Sequence, residues 1–386
     1  MEKILKSLPG WTYTSNAFLE LEKQEIILKN WQLVCHLSNI PDPGNFFTYG
    51  IFNQRIFVIR GIDGGIEAFH NLCSHRGTKL LNEINGTCAD KITCPYHAWS
   101  YDFKGNLIKV PYEEQFKDLS KKDHKLKSVQ LEIFKGFIFV KLIDSNAPSV
   151  NEQFTPYIDE IDQYKLEEMQ PLGRVTMRLR KVNWKQIADN YVDALHIPVA
   201  HPGLSGLVGK SYGLEVSPNN GCIHKMWGDG IHNRKNNLSN ILYDKYLPHM
   251  DHLPEDKQRY WLYFRLWPNL AFDIYPEQMD FMQFIPIDAN TTMIREIAYA
   301  LPDERRETKA AQYLNWRINR QVNNEDTRLI NLVQEGMNTH KFESGPLAST
   351  EVCLIDSANK IRSAIPIARL ESQPKESEIL KVNSEL

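Results

Sequence analysis

The chain has 386 residues, 42% hydrophobic and 24% charged, enough apolar material for more than one buried core, so two domains are expected rather than one. A formal net charge of −3 excludes the broad basic field of a nucleic-acid-binding protein, and no apolar run approaches the length of a membrane span. Six cysteines are too sparse for a disulfide scaffold, and the first residues lack an apolar signal core with a small-residue cleavage site, so the cytoplasm is the expected compartment.

From residue 31 to about 143, short apolar or alternating runs are separated by turn residues. Residues 31–37, 46–52, 55–61 and 66–72 read as strands, punctuated by Pro-Asp-Pro-Gly, Asn-Gln and Asp-Gly-Gly. Residues 132–142 read as one more buried strand, and 143–156 as a linker. Helices are expected at 158–168 and 184–196, then strands at 259–267, 270–276, 279–287 and 293–301. A long, charged amphipathic helix spans 304–337, and the polar tail from 370 to 386 reads as frayed. The class is α+β, with a small β domain over 30–145 and a larger domain over 146–386 on which residues 1–29 pack.

Two ligand pairs stand in the β domain: Cys73-x-His75 and, after eighteen intervening residues, Cys94-x-x-His97. Two loops that each bring one thiolate and one imidazole can pinch a tetrahedral zinc, or a Rieske [2Fe–2S] cluster in which two His replace two Cys on one iron. Zinc knuckles usually have charged, polar flanks. Here Pro95, Trp99 and the Gly77 turn suit a cluster held near the surface and shielded on its sulfur side.

A second constellation lies at Asp193, His196 and His201. Asp193 and His196 are spaced i, i+3 on one face of the expected helix, and Pro198 is expected to end that helix so that His201 folds back to meet His196. Two imidazoles with one carboxylate are the donor set of non-haem Fe(II) oxygenases, with positions left open for dioxygen and substrate. The long helix offers two further carboxylates, the adjacent Glu325 and Asp326, of which only one can point at a given metal.

Residues 73–77 (Cys-Ser-His-Arg-Gly) and 94–102 (Cys-Pro-Tyr-His-Ala-Trp-Ser-Tyr-Asp) resemble the Rieske motif of the oxygenase component of Rieske non-haem iron oxygenases, the α subunits of ring-hydroxylating dioxygenases and their monooxygenase relatives. That family usually has Gly where this chain has Ala98. Neither loop carries the extra cysteine whose disulfide marks the high-potential Rieske proteins, which favours the low-potential type. Residues 183–201 are similar to the family's mononuclear-iron segment and 345–351 (Gly-Pro-Leu-Ala-Ser-Thr-Glu) to another family feature, so the resemblance spans about residues 10–370.

The resemblance implies a small all-β Rieske [2Fe–2S] domain and a larger helix-grip catalytic domain, an antiparallel sheet with helices. It implies a cluster on Cys73, His75, Cys94 and His97, and mononuclear Fe(II) on His196, His201 and Asp326 rather than Glu325. Asp193 then becomes the electron-transfer bridge between a cluster histidine of a neighbouring subunit and an iron histidine, and Asn190 lines or supports the iron site. The implied activity is that of a terminal oxygenase, using O2 and electrons from an NAD(P)H-dependent reductase, directly or through a ferredoxin. A homotrimer is expected, with or without a separate β subunit. Some amine-oxidising members carry Glu at the bridge, so Asp193 favours a small aromatic or apolar substrate, mono- or dioxygenated. Oxidative demethylation or cleavage of a methylated or quaternary amine is the alternative. Trp227, Trp261, Tyr263, Phe281, Met282 and Phe284 suit either substrate, by stacking or by cation–π contact. Two rival functions are a Rieske electron carrier, which would bind two irons per chain rather than three, and a colourless zinc-stabilised binding module.

Overall fold

The computed structural model describes residues 5–208, 212–218, 221–229, 237–339 and 341–386. It divides into two compact units, one of residues 28–150 and one of residues 1–27 together with 151–386.

The smaller unit is built of short antiparallel strands: β1 (Gln32–His36), β2 (Asn45–Ile51), β3 (Gln54–Arg60), β4 (Ile66–His70), β5 (Asn85–Thr87), β6 (Ile92–Thr93), β7 (Ser100–Tyr101), β8 (Leu107–Lys109), β9 (Gln130–Phe134) and β10 (Phe137–Lys141). They form three sheets, ordered β1-β10-β9, β4-β3-β2-β5 and β6-β7-β8. Phe57, Ile59, Phe69, Trp99, Tyr101 and Leu107 are buried in one cluster that also contains Cys73 and Cys94. The single strand expected at 132–142 is instead a hairpin. Phe134 pairs with Phe137 across Lys135 and Gly136, which take φ of 45° and 81°. Both central residues are left-handed, as a two-residue hairpin turn requires. Lys in the first of those places is an unusual choice, so the apolar run read as continuous.

In the larger unit the helices are α1 (Asn16–Glu22), α2 (Val150–Phe154, entering from the smaller unit's last residue), α3 (Ile158–Asp162), α4 (Trp184–Val192), α5 (Ile197–Ala200), α6 (Pro202–Val208), α7 (Leu238–Tyr246), α8 (Arg306–Met337), α9 (Val352–Ala364) and α10 (Ile379–Glu385). Its strands are β11 (Gln170–Pro171), β12 (Thr176–Arg180), β13 (Gly213–Val216), β14 (Ile223–Asp229), β15 (Tyr260–Leu266), β16 (Leu270–Ile274), β17 (Met279–Asp288) and β18 (Thr291–Ala300). They make one eight-stranded antiparallel sheet in the order β11-β18-β17-β16-β15-β14-β13, with β12 also pairing β18. Sequence patterning located the four central strands; the flanking ones are shorter, and β12 carries Arg178 and Arg180 where an apolar alternation would be sought.

Four further expectations need correction. The segment read as a linker contains α2, whose Phe154 is fully buried against Phe264 and Phe272. The helix expected at 158–168 stops at Asp162; Lys165, at φ 51°, separates it from a 3-10 turn over Leu166–Glu168. The helix expected at 184–196 ends at Val192, with Asp193 already extended, and Pro198 lies in the first turn of α5, where a missing backbone donor costs nothing. The tail does not fray: Ile379 is buried, and Glu376 accepts hydrogen bonds from Ser15 Oγ (2.9 Å) and Ala17 N (2.8 Å) at the start of α1.

α4 packs against β17, α8 and α9, and so lies between the sheet and the long helix. Asn183 caps its start, its side chain accepting from Lys185 N at 3.0 Å. Its buried Lys185 pairs with Glu22 of α1 at 2.7 Å and donates to Thr12 O at 3.0 Å, while Tyr13 donates to Asp189 at 2.8 Å. The N-terminal segment therefore clamps the helix that precedes Asp193. Among the described residues no helix is long and apolar enough to cross a membrane.

Candidate metal centres

In the smaller unit Cys73 and His75 follow β4, and Cys94 and His97 occupy the turn between β6 and β7. Each loop is closed by its own backbone: Gly77 N donates to Cys73 O at 2.9 Å, and Cys94 N to Trp99 O at 2.8 Å. Both cysteines are buried, whereas both histidines are half-buried, so sulfur faces the core and nitrogen faces outward. The imidazoles of His75 and His97 lie 4.7 Å apart, His75 stacks on Trp99 at 4.7 Å, and Tyr96 stacks on His97 at 3.8 Å. Tyr101 Oη lies 3.3 Å from Cys73 Sγ. Burial, with smaller effects from His97 and Arg76, lowers the His75 pKa and keeps the ring neutral, the form that ligates a metal.

A [2Fe–2S] cluster fits these residues. Among the described residues His75 Nδ1 is a buried polar atom without a hydrogen-bond partner, the position of a nitrogen that would face the cluster. Among the described residues only His196, His201 and Asp326 bring ligand atoms within 4.8 Å of one another, so the Cys/His set is spread wider than one zinc requires. Two irons, one held by thiolates and one by imidazoles, match that spread.

In the larger unit the three residues just named come from α5's approach and from the middle of α8. His201 Nε2 lies 2.8 Å and His196 Nε2 3.5 Å from the same Asp326 oxygen, and the two rings are 5.0 Å apart and nearly perpendicular. Each histidine is held from behind by a carboxylate. Asp193 Oδ2 is 3.0 Å from His196 Nδ1, and Glu325 Oε2 is 2.7 Å from His201 Nδ1. Asp193 is therefore no part of the triad of converging atoms, and its link to His196 survives the end of α4 because its other oxygen accepts from Leu195 N at 2.8 Å, turning the backbone. Glu325, read from sequence as one of two competing acids, takes a different place from Asp326.

The electrostatics favour a cation here. Burial works against charge on Asp326, but hydrogen bonds from His196 and His201 hold its carboxyl at about 2. Burial likewise opposes charge on His196, but Asp193 and Asp326 lift the imidazole to about 9. Two imidazoles and one carboxylate, with both outer nitrogens anchored, fit a mononuclear iron.

The triad opens on a cavity of about 430 Å³, a size suited to a small organic molecule. Asn190 lines it and hydrogen-bonds Asp326. Of the large side chains noted in the sequence, Tyr263, Met282 and Phe284 line the cavity; Trp227, Trp261 and Phe281 do not. Strand alternation divides them, since residues 280, 282 and 284 of β17 face inward and Phe281 packs on the other side. The cavity also contains Asp273, Asp280, Glu296, Arg178 and Arg180, none of which a short motif announces, and Tyr191, which lies within the segment 183–201 similar to the family's mononuclear-iron segment.

Residues 162–366 match the protein family described as ring hydroxylating alpha subunit (catalytic domain), and residues 30–130 match the Rieske [2Fe-2S] domain. The carnitine monooxygenase oxygenase subunit of Acinetobacter baumannii is 27% identical over 341 residues, which covers 87% of this chain and 86% of that one. A solved quaternary ammonium Rieske monooxygenase, described with carnitine oxidation and inter-subunit electron transfer, superposes with a TM-score of 0.77 over 93% of this chain and 95% of its own, at 24% identity. Naphthalene 1,2-dioxygenase with indole in its active site superposes with a TM-score of 0.73 over 100% and 98%, at 21% identity. Both superpositions show the same fold.

Proposed function

The chain belongs to the ring-hydroxylating alpha-subunit family, with a Rieske [2Fe–2S] domain before the catalytic one, and on that premise we propose that its substrate is a small methylated amine bearing a positive charge. It is a Rieske non-haem iron oxygenase, the terminal component that receives electrons from a separate reductase and uses O2 on an organic substrate. Its cofactors are the Rieske cluster and a mononuclear iron. When bound, the cluster supplies single electrons and the iron activates dioxygen.

Cys73, His75, Cys94 and His97 hold the cluster, and His196, His201 and Asp326 hold the iron. Asp193 and Glu325 orient the two iron histidines by accepting from their outer nitrogens, a task that fixes tautomer and ring plane. Asp193 is partly exposed, and its carboxylate keeps lone pairs free for a second imidazole. That supports its role as the bridge to a cluster histidine of a neighbouring subunit, and with it a homotrimer. Asn190 steadies Asp326 from the cavity side. The Rieske domain is taken as 30–145 and the catalytic domain as 146–386 with the N-terminal segment. The electron donor is an NAD(P)H-dependent reductase, directly or through a ferredoxin, in the cytoplasm.

The observation that carries the substrate reading is the charge of the cavity. Asp273, Asp280 and Glu296 line the same cavity as the triad, and among the described residues only Glu296 has an arginine paired with it. A naphthalene-like substrate gains nothing from these carboxylates, of which Asp273 is buried and the other two partly so, and which cost free energy when substrate covers them unless a cation meets them. The relative that acts on carnitine, by its name, supports the same reading. Oxygenation at a carbon bonded to nitrogen gives a product that separates into an aldehyde and the smaller amine. One oxygen atom ends in the aldehyde and the other in water, with two electrons from the reductase and two protons.

Turnover of the reconstituted enzyme against paired panels of methylated amines and arenes is the test. Aldehyde and dealkylated amine in proportion to O2 consumed are expected; arene diols with no amine oxidation would overturn the substrate reading while leaving the oxygenase class intact.

A further inference from the structure

The antiparallel register of the large sheet lines up one row of side chains across five strands. Met226 of β14 faces Tyr263 of β15, which faces Asp273 of β16, which faces Asp280 of β17, which faces Ala298 of β18. Tyr263, Asp273, Asp280 and Ala298 all line the cavity that opens on the triad. Residues directly opposite on neighbouring strands have Cβ atoms about 5 Å apart, and like charges so placed repel. Asp273 is 8% exposed and accepts a hydrogen bond from Tyr191 Oη; Asp280 has no hydrogen-bond or ion-pair partner among the described residues.

The groups facing this pair are Tyr191 of α4, Tyr263 of β15, Tyr212 just before β13, Glu296 of β18 and Arg178 of β12. Among the described residues none of the three arginines lining the cavity pairs with either aspartate: Arg320 lies over the Trp316 ring, and Arg178 and Arg180 stand on β12. Arg178 is bound to Glu296. Along β18, Arg178 pairs with Ile294 and Arg180 with Thr292, four and six residues from Ala298. At about 3.4 Å per residue the two backbone positions lie roughly 14 and 20 Å along β18 from the aspartate row; the Arg178 side chain reaches back as far as Glu296, and its charge acts on Asp280 without pairing with it. Burial lifts Asp273 to about 7 against the Tyr191 hydrogen bond, and burial with the charges of Asp273 and Glu296 lifts Asp280 well above the ordinary carboxyl range.

Resting on the reading of a cationic substrate, we propose that Asp273 and Asp280 are its specificity-determining residues: they share one proton before substrate enters, and a methylated ammonium takes that proton's place, enclosed by the rings of Tyr191, Tyr212 and Tyr263. The exchange is balanced. A singly protonated pair carries one negative charge; the fully ionised pair with one bound cation also carries one, and the proton leaves to solvent. The buried charge of the cavity is therefore unchanged by binding, so the cation's desolvation is met without a new uncompensated ion. The aromatic faces add attraction for the ammonium that an uncharged group of the same shape does not receive.

Calorimetric titration of the holoenzyme with tetramethylammonium, with choline and with choline's uncharged carbon isostere, 3,3-dimethylbutan-1-ol, tests this. Titrations near pH 7 in buffers of different ionisation enthalpy report proton release alongside affinity. Choline is expected to bind at least about tenfold more tightly than the isostere, with release of about one proton per site. Asp273→Asn and Asp280→Asn should each abolish the preference and the proton release, leaving iron content and isostere affinity as in the parent. Discrimination and proton release retained in both variants overturns the assignment, as does equal affinity of the parent for choline and isostere. If methylated amines are bound and oxidised by the parent while both variants bind them equally well, the assignment alone fails. If neither cation binds and no methylated amine is oxidised, the cationic-substrate reading fails with it.

Discussion

Ala98 sits at φ 56° between His97 and Trp99, with its amide donating to Cys94 O at 3.1 Å. An L side chain in that region is strained, and Gly would adopt it without that cost. Ala98→Gly is expected to stabilise the smaller unit by about 0.5–1 kcal/mol, after the flexibility Gly adds to the unfolded chain is discounted. Denaturant titration of the holo protein measures it, and a loss of stability would contradict the left-handed geometry. Three carboxylate variants and one histidine variant distinguish the roles around the iron. Asp326→Asn and His201→Ala each remove one of the three proposed ligands and should lower bound iron towards the cluster's two. Glu325→Gln should keep the triad but weaken iron binding by about 10–100-fold, because a carboxamide orients His201 less firmly than a carboxylate. Asp193→Asn should retain full iron and a reducible cluster yet lose nearly all coupled turnover, since an amide offers one accepting oxygen where the bridge needs two. Iron analysis beside single-turnover kinetics separates these outcomes; full iron with normal product formation in Asp193→Asn would exclude it as bridge and as ligand alike.

Between elements, charged contacts decide where segments dock. Glu22 of α1 and Lys185 of α4 are both buried and 2.7 Å apart. Removing one partner strands the other in the core, so Glu22→Gln should destabilise the larger unit by about 3–5 kcal/mol, measurable as a fall in the urea midpoint. Substituting both by apolar residues of similar size should recover much of that loss. β14 and α9 are joined by His224, whose Nε2 lies 2.8 Å from Asp356 Oδ2, with Lys360 2.8 Å from the same oxygen. Burial holds the His224 imidazole at about 4, the Asp356 hydrogen bond opposing. Its folded pKa is thus below the unfolded 6.5, so the unfolded chain takes a proton that the folded one refuses. Stability should fall by about 3 kcal/mol as pH drops from 6.5 to 4. His224→Gln should flatten that part of the pH–stability curve; an unchanged slope would mean that the ring is not held neutral. Helix limits were less legible than helix existence. The periodicity from Trp184 continues past Val192, but the Asp193 side chain captures Leu195 N and ends α4 there.

For the whole molecule, the bridging role proposed for Asp193 implies that an isolated protomer is incomplete. Co-expressed chains carrying Cys94→Ser in one copy and His201→Ala in the other should assemble and recover partial turnover, because an intact cluster in one subunit can serve an intact iron site in its neighbour. Neither variant should turn over alone. Sedimentation of the mixed species gives the subunit number, and a mixture as inactive as its parts would confine the relay to one chain.

The sequence by itself determined the family, and with it the α+β class, the small β domain before a larger catalytic one, and the two inorganic cofactors. These follow from short spacings: Cys-x-His and Cys-x-x-His lie within single loops, where local geometry alone brings a thiolate and an imidazole together. The tertiary structure decided everything that depends on distant pairing. Glu325 meets His201 across more than a hundred residues, Glu376 reaches back to α1, and Tyr13 and Glu22 grip α4 from the chain's other end. Asp273 and Asp280 become neighbours only through the register of β16 on β17, and their cavity exists only because α4 and α8 cover that face. A one-residue slip would turn both aspartates to the opposite side, and no local pattern in the chain specifies that register; it is set by which faces of the strands must be buried.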